Sequence, residues 1–258
     1  MKTTDYESPK VRIIENFITK EECDWIINSA NSTNLWAHDN KTPDQFKNQE
    51  EFENYYYSWA NRVVNLNTLY TQKKPDHKEL LSKTLPIQKL MKEQIVDFFK
   101  MDFPIYSESW EVVRWGKPYF NYQQPHIDYI DLDFDLNKID EYDLPESSKK
   151  YLLDNPHLVD LYQRKFAGKN FTSMLYLNED FEGGELYFPQ YNDFEIRPKP
   201  GLLVIFSGTL KHLHGIREIT SGMRYVHTTF WSKYPQYASL VARDWSRNSI
   251  DKEYYGLV

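Results

Sequence analysis

Residues 171–206 read FTSMLYLNEDFEGGELYFPQYNDFEIRPKPGLLVIF, and their texture decides the fold class. Three short apolar runs, Phe171 to Asn178, Glu185 to Phe188 and Leu202 to Phe206, alternate with the turn signals Gly183-Gly184 and Pro198 to Gly201. Runs of this length, rich in β-branched and aromatic residues and bounded by glycine or proline, read as strands. Two more of the same kind, Ser107 to Trp115 and Arg224 to Trp231, lie on either side. Several short strands without helical crossovers predict a β-sandwich or barrel, not a parallel α/β sheet.

Upstream of Pro104 the pattern differs. Val11 to Phe17 (VRIIENF) reads as a strand, and Thr19-Lys20-Glu21-Glu22 has the form of a capping box that starts a helix carrying Trp25, Ile26 and Ile27. Asn31 to Asn48 is rich in Asn, Thr and Asp and reads as loop. A short helix is expected around Ser58 to Leu66. A longer one is expected from Pro86 to Lys100, where Ile87, Leu90, Met91, Ile95, Phe98 and Phe99 recur at helical spacing and Pro86 suits the first turn. One insert interrupts the β half. Asp131 to Glu146 is strongly acidic, and Ser147 to Phe166 reads as helical with a break at Pro156. A connection this long is either a functional lid or a solvated excursion.

The totals narrow the function classes. At 258 residues, with 20 Tyr, 15 Phe and 7 Trp, there is ample apolar mass for a substantial core. A net charge of −7 without any Lys or Arg block argues against a nucleic-acid or anionic-membrane binder. The lone Cys23 excludes an internal disulfide framework. Met1 to Lys10 is polar and lacks a signal-peptide core, and no apolar run of about 18 residues exists. The expectation is a soluble protein of the cytoplasm.

Pro125-His126-Ile127-Asp128 carries the chemistry. In an extended chain, residues two apart share a face, so His126 and Asp128 can reach one ion. A third ligand must come from elsewhere. His214, before Gly215 and between two strand-like runs, is the best candidate, and His212 is its rival. His157 falls in the insert and His227 on the face opposite Arg224, while His38 and His77 belong to the polar N-terminal half, where exposed histidines are unremarkable. Two imidazoles with one carboxylate, and no thiolates, match the facial triad of non-haem Fe(II) oxygenases better than a structural zinc site. Arg224 stands ten positions after His214 on an apolar strand. A buried arginine needs an anion, and its planar fork matches a carboxylate.

Taken in order, these pieces resemble the prolyl 4-hydroxylase-like branch of the Fe(II)/2-oxoglutarate dioxygenases. VRIIENFITKEECDWII at 11–27 looks like its lead-in strand and helix, and Pro125 to Asp128 like its metal motif. Met174 to Asn178 with Gly183 to Leu186 is similar to its YLN…GGEL signature, and Pro200 to Phe206 to its PG…F strand. His214-Gly215-Ile216 and Gly222-Met223-Arg224-Tyr225 resemble its distal histidine and anion-binding arginine, which settles His214 over His212.

The resemblance implies a mainly β fold with flanking helices around a double-stranded β-helix, the jelly-roll or cupin-like core. It implies one catalytic domain over 1–258: supporting strand and helices in 1–103, the jelly roll in 104–234 with the insert at about 131–168, and a tail in 235–258. It implies Fe(II) on His126, Asp128 and His214, with 2-oxoglutarate and O2 as cosubstrates and ascorbate as a reductant. Arg224 would pair with the far carboxylate of 2-oxoglutarate, and Tyr176 would donate to the same group. The aromatic residue upstream of the motif that meets the cosubstrate is Trp115, Tyr119 or Tyr122. On the last strand, alternation favours Phe230 over Trp231 as the inward aromatic. The implied reaction is C–H hydroxylation, on a prolyl residue of a peptide or protein or on a free amino acid or other small molecule, with neither nucleic acid nor membrane as partner. A non-catalytic metal-binding jelly roll is the remaining alternative.

Overall fold

The computed structural model describes residues 1–32, 36, 47–48, 51, 62–117, 120–250, 252–253 and 255. Thirteen strands are present among them. Those before the insert are β1 (Lys2–Glu7), β2 (Lys10–Glu15), β3 (Val63–Asn65), β4 (Tyr106–Trp115) and β5 (Gln123–His126). After it come β6 (Phe171–Tyr176), β7 (Phe181–Gly183), β8 (Leu186–Phe188), β9 (Phe194–Ile196), β10 (Leu203–Ser207), β11 (His214–Ile216), β12 (Ile219–Gly222) and β13 (Arg224–Ser232). The helices are α1 (Lys20–Ser32), α2 (Leu66–Gln72), α3 (Pro75–Phe99), α4 (Glu146–Asp154), α5 (His157–Lys165) and α6 (Leu240–Ser246).

A seven-stranded sheet has the order β1-β2-β10-β6-β13-β4-β3, and a four-stranded sheet the order β5-β11-β8-β9. Every pairing is antiparallel. From β5 to β13 the chain repeatedly exchanges one sheet for the other, which is the winding of a jelly roll. The expected mainly β fold with flanking helices is therefore the fold observed.

Alternation along the large sheet separates two cores. The inner face carries Val113, Trp115, Met174, Tyr176, Val204, Phe206 and Val226 against Leu186, Phe188 and Ile216 of the small sheet. The outer face carries Trp110, Val112, Leu175, Ile205 and Trp231 against Ile26 of α1 and Leu85, Met91 and Ile95 of α3. The inner face thus builds the cavity wall while helices seal the other.

The start of α1 is as expected: the Glu22 backbone N–H donates to Thr19 Oγ1 at 3.2 Å, and the Thr19 N–H to Glu22 Oε2 at 2.8 Å. Other expectations need correction. The long helix begins at Pro75, eleven residues before Pro86, which lies inside it on the exposed side. Pro75 holds the first-turn place, because its missing N–H has no partner there in any case. The helix expected at 58–66 is replaced, over its described part, by β3 and the first residue of α2, with residues 58–61 outside the described set. His77 is buried, not exposed. The polar N-terminus forms β1, held by its antiparallel ladder to β2 and by an ion pair from Asp5 rather than by apolar burial. Arg12 donates to both Asp5 oxygens at 2.7 and 2.8 Å and to Asp97 of α3 at 2.7 Å.

The insert folds onto the jelly roll. Ile139 and Leu152 pack with Ile127, Leu210 and Leu213, and Gln163 Nε2 of α5 donates to the carbonyls of Asp131 at 2.9 Å and Phe134 at 3.0 Å. No described helix is long and apolar enough to cross a membrane.

Thr19→Ala removes one half of the capping box and is expected to cost about 1 kcal/mol, or roughly 2–4 °C in a chain of this size. Thermal unfolding followed by circular dichroism checks this, and an unchanged midpoint would contradict it.

Candidate metal and cosubstrate site

β5 and β11 are neighbours in the small sheet with His126 directly opposite His214. Their rings lie 4.4 Å apart. Asp128 follows the end of β5, where its carboxylate comes within 3.8 Å of His126 Nε2 and 3.7 Å of His214 Nε2. All three ligand atoms lie within 4.8 Å of one another. Donors about 2.1 Å from a shared ion stand roughly 3–4 Å apart, so the spacing suits one metal.

The surroundings prepare each donor. His126 Nδ1 faces the Gln124 carbonyl at 3.0 Å, and His214 Nδ1 the His212 carbonyl at 2.8 Å. A backbone carbonyl can only accept, so both Nδ1 atoms carry the proton and both Nε2 atoms keep a lone pair, that of His126 accepting from Gln123 Nε2 at 3.0 Å. Burial pushes the His126 pKa down to about 4, which keeps that imidazole neutral and able to ligate. Thr172 of β6 donates its hydroxyl to Asp128 Oδ2 at 2.6 Å, fixing the carboxylate.

Gly208 holds this geometry together. Its N–H donates to the Asn170 carbonyl, and its own carbonyl accepts from Asp128 and Tyr129, each contact being 2.9 Å. A Cβ here would lie 2.5 Å from the Lys169 carbonyl oxygen and 2.8 Å from Asp128 Cβ. Only glycine lets the Lys169-Asn170 turn come this close to the carboxylate.

Next to the triad is a cavity of about 360 Å³. Trp115, Val113, Met174 and Val226 form its inner wall, and Tyr162 and Phe166 from the insert close one side. On the same face of β13 as Val226, and opposite Trp115 in register, lies Arg224, which is 0% exposed. Its three guanidinium nitrogens have no hydrogen-bond partner among the described residues, and neither has the Tyr176 hydroxyl beside it. The Arg224 Cζ is 5.0 Å from the Tyr176 ring and 5.8 Å from the Trp115 ring. Gly184 makes room for this side chain, since a Cβ there would sit 3.2 Å from Arg224 Cδ. Arg62 packs at 4.0 Å on the same Trp115 ring, and burial together with the Arg224 charge lowers its pKa to about 9. A buried cation with open donors calls for a planar anion.

Of the upstream aromatics, Trp115 lines the cavity, whereas Tyr122 is 47% exposed and lies away from it. Tyr119 lies outside the described residues. Phe230 lines the cavity with Val226 and Thr228. Trp231 does not. It points to the outer face, where its indole N–H donates to Ser173 Oγ at 2.9 Å in the helix-covered core. The bulge opposite Phe230 and Trp231 is absorbed by β4, so alternation along β13 survives. His212 turns its Nδ1 to Ser207 Oγ at 2.7 Å, and His227 is engaged by Trp110 and the Glu111 carbonyl on the outer face. Thr172, Lys169, Gly208 and Arg62 were not foreseen. Thr172 was readable in principle, because it stands two and four residues before Met174 and Tyr176 on the same strand face.

The profile of the 2OG-Fe(II) oxygenase superfamily matches residues 119–232, a span that contains the triad, Tyr176 and Arg224. The chain carries a 2OG-Fe(II) oxygenase domain. Within curated proteins, the chain is 38% identical over 63 residues to human (Homo sapiens) prolyl 3-hydroxylase 3, covering 23% of this chain and 9% of that protein. It is 31% identical over 97 residues to Gallus gallus prolyl 3-hydroxylase 2, covering 35% of this chain and 14% of that protein. The chain thus spans only about a tenth of the length of the curated relatives it matches. A solved structure, the viral collagen prolyl hydroxylase of Paramecium Bursaria Chlorella virus-1 in its 2OG complex, superposes with a TM-score of 0.51 at 19% identity, covering 86% of this chain and 94% of that one. That likeness is one of fold. The oxygenase family takes Fe(II), 2-oxoglutarate and O2, and the donor set and the anion-seeking arginine suit that pair of groups.

Thr172→Val keeps the shape but removes the hydrogen bond to Asp128. It is expected to weaken metal binding about 10- to 100-fold, measured by titrating Fe(II) or Co(II) into the apoprotein. Unchanged affinity would contradict the role given to this hydroxyl.

Proposed function

We propose that the protein is an Fe(II)- and 2-oxoglutarate-dependent hydroxylase acting on a proline unit, with the proline held in a peptide or protein. The observation that carries this reading is the pairing of a His-Asp-His centre with a fully buried, hydrogen-bond-free Arg224 in the same barrel. A metal site used only for structure would be closed by its ligands and would have no use for a second, anion-seeking group. The prolyl hydroxylase names of the curated relatives support the choice of proline.

In this reading His126, Asp128 and His214 hold Fe(II). When bound, the metal with 2-oxoglutarate and O2 supplies oxidative decarboxylation to succinate and CO2 coupled to insertion of one oxygen into a C–H bond. The residues do the rest. Arg224 and the Tyr176 hydroxyl would donate to the far carboxylate of 2-oxoglutarate and set its register along the cavity. Burial raises the Tyr176 pKa, so its phenol keeps the proton it donates. Trp115, Val113, Met174 and Val226 keep water from the reacting region. Thr172 and the two Nδ1 contacts prevent the ligands from turning away.

We further propose that residues 1–258 work as one catalytic domain. β1 and β2 extend the large sheet beside β10, and Ser239, which caps α6, contacts Ser107 of β4. This supports treating 1–103 and 235–258 as scaffold for the 104–234 jelly roll and its 131–168 insert.

Incubated with Fe(II), 2-oxoglutarate and a panel of proline-rich peptides, the protein is expected to yield succinate and a peptide heavier by one oxygen atom by mass spectrometry. His126→Ala is expected to abolish both. Succinate formation that persists without Fe(II), or in His126→Ala, would overturn the reading.

A further inference from the structure

On the outer face of the large sheet, away from the metal ligands, a second cavity of about 640 Å³ opens between α3 and α6. It shares no lining residue with the metal-side cavity. Trp231 of β13 lines it from the sheet, and Ala242 and Trp245 line it from α6. α3 meets it with two rows of side chains at helical spacing. Gln88, Lys92 and Val96 are the buried or half-buried inner row, while Lys89, Glu93 and Asp97 form an exposed rim.

The interior of this cavity holds donors without acceptors. Gln88 is 3% exposed, and its Nε2 has no hydrogen-bond partner among the described residues. The buried Trp245 Nε1 is in the same condition. Lys92 forms no ion pair among the described residues, and burial lowers its pKa. The neighbouring hydroxyls are engaged: Ser107 Oγ lies 2.9 Å from Ser239 Oγ, and Ser246 Oγ donates to the Arg243 carbonyl at 2.8 Å. Trp231 gives its own N–H to Ser173, so it offers the cavity only ring surface.

Donors buried without a partner are costly, and an acceptor brought by a ligand removes that cost. One lysine supplies a single positive charge, and Glu93 and Asp97 on the rim oppose a polyanion. A carboxylate meets these terms better than a phosphate dianion does. The indoles, Val96 and Ala242 suit an apolar body attached to it. Cavities of roughly 300–1,000 Å³ with a few convergent polar groups are of small-molecule size.

We propose that this cavity is a second ligand site, separate from the metal centre, that takes a small monocarboxylate with an apolar body. Lys92, the Gln88 amide and the Trp245 N–H hold the carboxylate. The two indoles, Val96 and Ala242 enclose the rest.

The test is a calorimetric titration of phenylbutyrate into wild type, Lys92→Met, Lys92→Arg, Trp245→Phe and Arg224→Met, with phenylbutanol and inorganic phosphate as comparison probes. Wild type is expected to bind phenylbutyrate at one site per chain, more tightly than either comparison probe. Lys92→Met keeps the apolar stem and removes the charge, and is expected to weaken phenylbutyrate about 10- to 100-fold. Lys92→Arg is expected to recover most of that loss, and far-ultraviolet circular dichroism checks that each variant is folded. Trp245→Phe removes a single N–H and is expected to weaken binding about 3- to 10-fold, so the outcome does not hang on one variant. Arg224→Met, in the barrel, is expected to keep the affinity, which separates this site from the metal-side cavity. No phenylbutyrate binding by wild type, equal binding by Lys92→Met, loss of binding in Arg224→Met, or equally tight binding of inorganic phosphate would each overturn the proposal.

Discussion

A guanidinium buried to 0% exposure with no hydrogen-bond partner among the described residues is the constraint on which the account of this molecule rests. Removing a charge from water without a counter-charge is among the costliest things a fold can do. The barrel is nevertheless built around it. β13 begins at Arg224, Gly184 gives way to its side chain, and Tyr176 and Trp115 flank it. The nearby Arg62 adds positive charge to the same region. Such an arrangement is stable in use only if an anion completes it, and the metal-ligand cluster in the same barrel says what kind of anion is useful there.

The second constraint is the turn at Gly208. One residue links three segments: Asp128 after β5, the Lys169-Asn170 turn after the insert, and the end of β10. The carboxylate ligand and the cavity lysine are thereby set by the same backbone contacts. The metal-ligand carboxylate and the cavity wall at Lys169 are coupled through main-chain hydrogen bonds, which hold position better than long side chains. The insert is consequently part of the site rather than a solvated excursion, because α5 contributes Tyr162 to the cavity and the segment after it contributes Phe166 and Lys169.

Much of this was legible in the sequence, for identifiable reasons. The strands at 107–115, 171–178, 202–206 and 224–231 announced themselves through apolar runs cut by glycine and proline. The α1 cap was legible because its two hydrogen bonds involve residues three apart. β1 was not, since its residues are polar and it holds through its backbone ladder to β2 and the Asp5–Arg12 pair, which no apolar pattern reveals. In the site, His126 and Asp128 lie two residues apart, so chain geometry alone could group them. Thr172, Gly208 and Lys169 reach the same centre only through tertiary folding, and no spacing rule connects them to it. Trp231 fell to the far face for the reason that favoured Phe230: strand alternation held through the bulge.

The most direct measurement of the central claim is an anaerobic calorimetric titration of 2-oxoglutarate into Fe(II)-loaded protein, comparing wild type with Arg224→Met. The account predicts one site per chain in the wild type and a loss of affinity of about 30-fold or more in the variant, as expected when a buried charge-assisted pair is broken. Equal affinity in the two proteins, or no binding by the wild type, would contradict it.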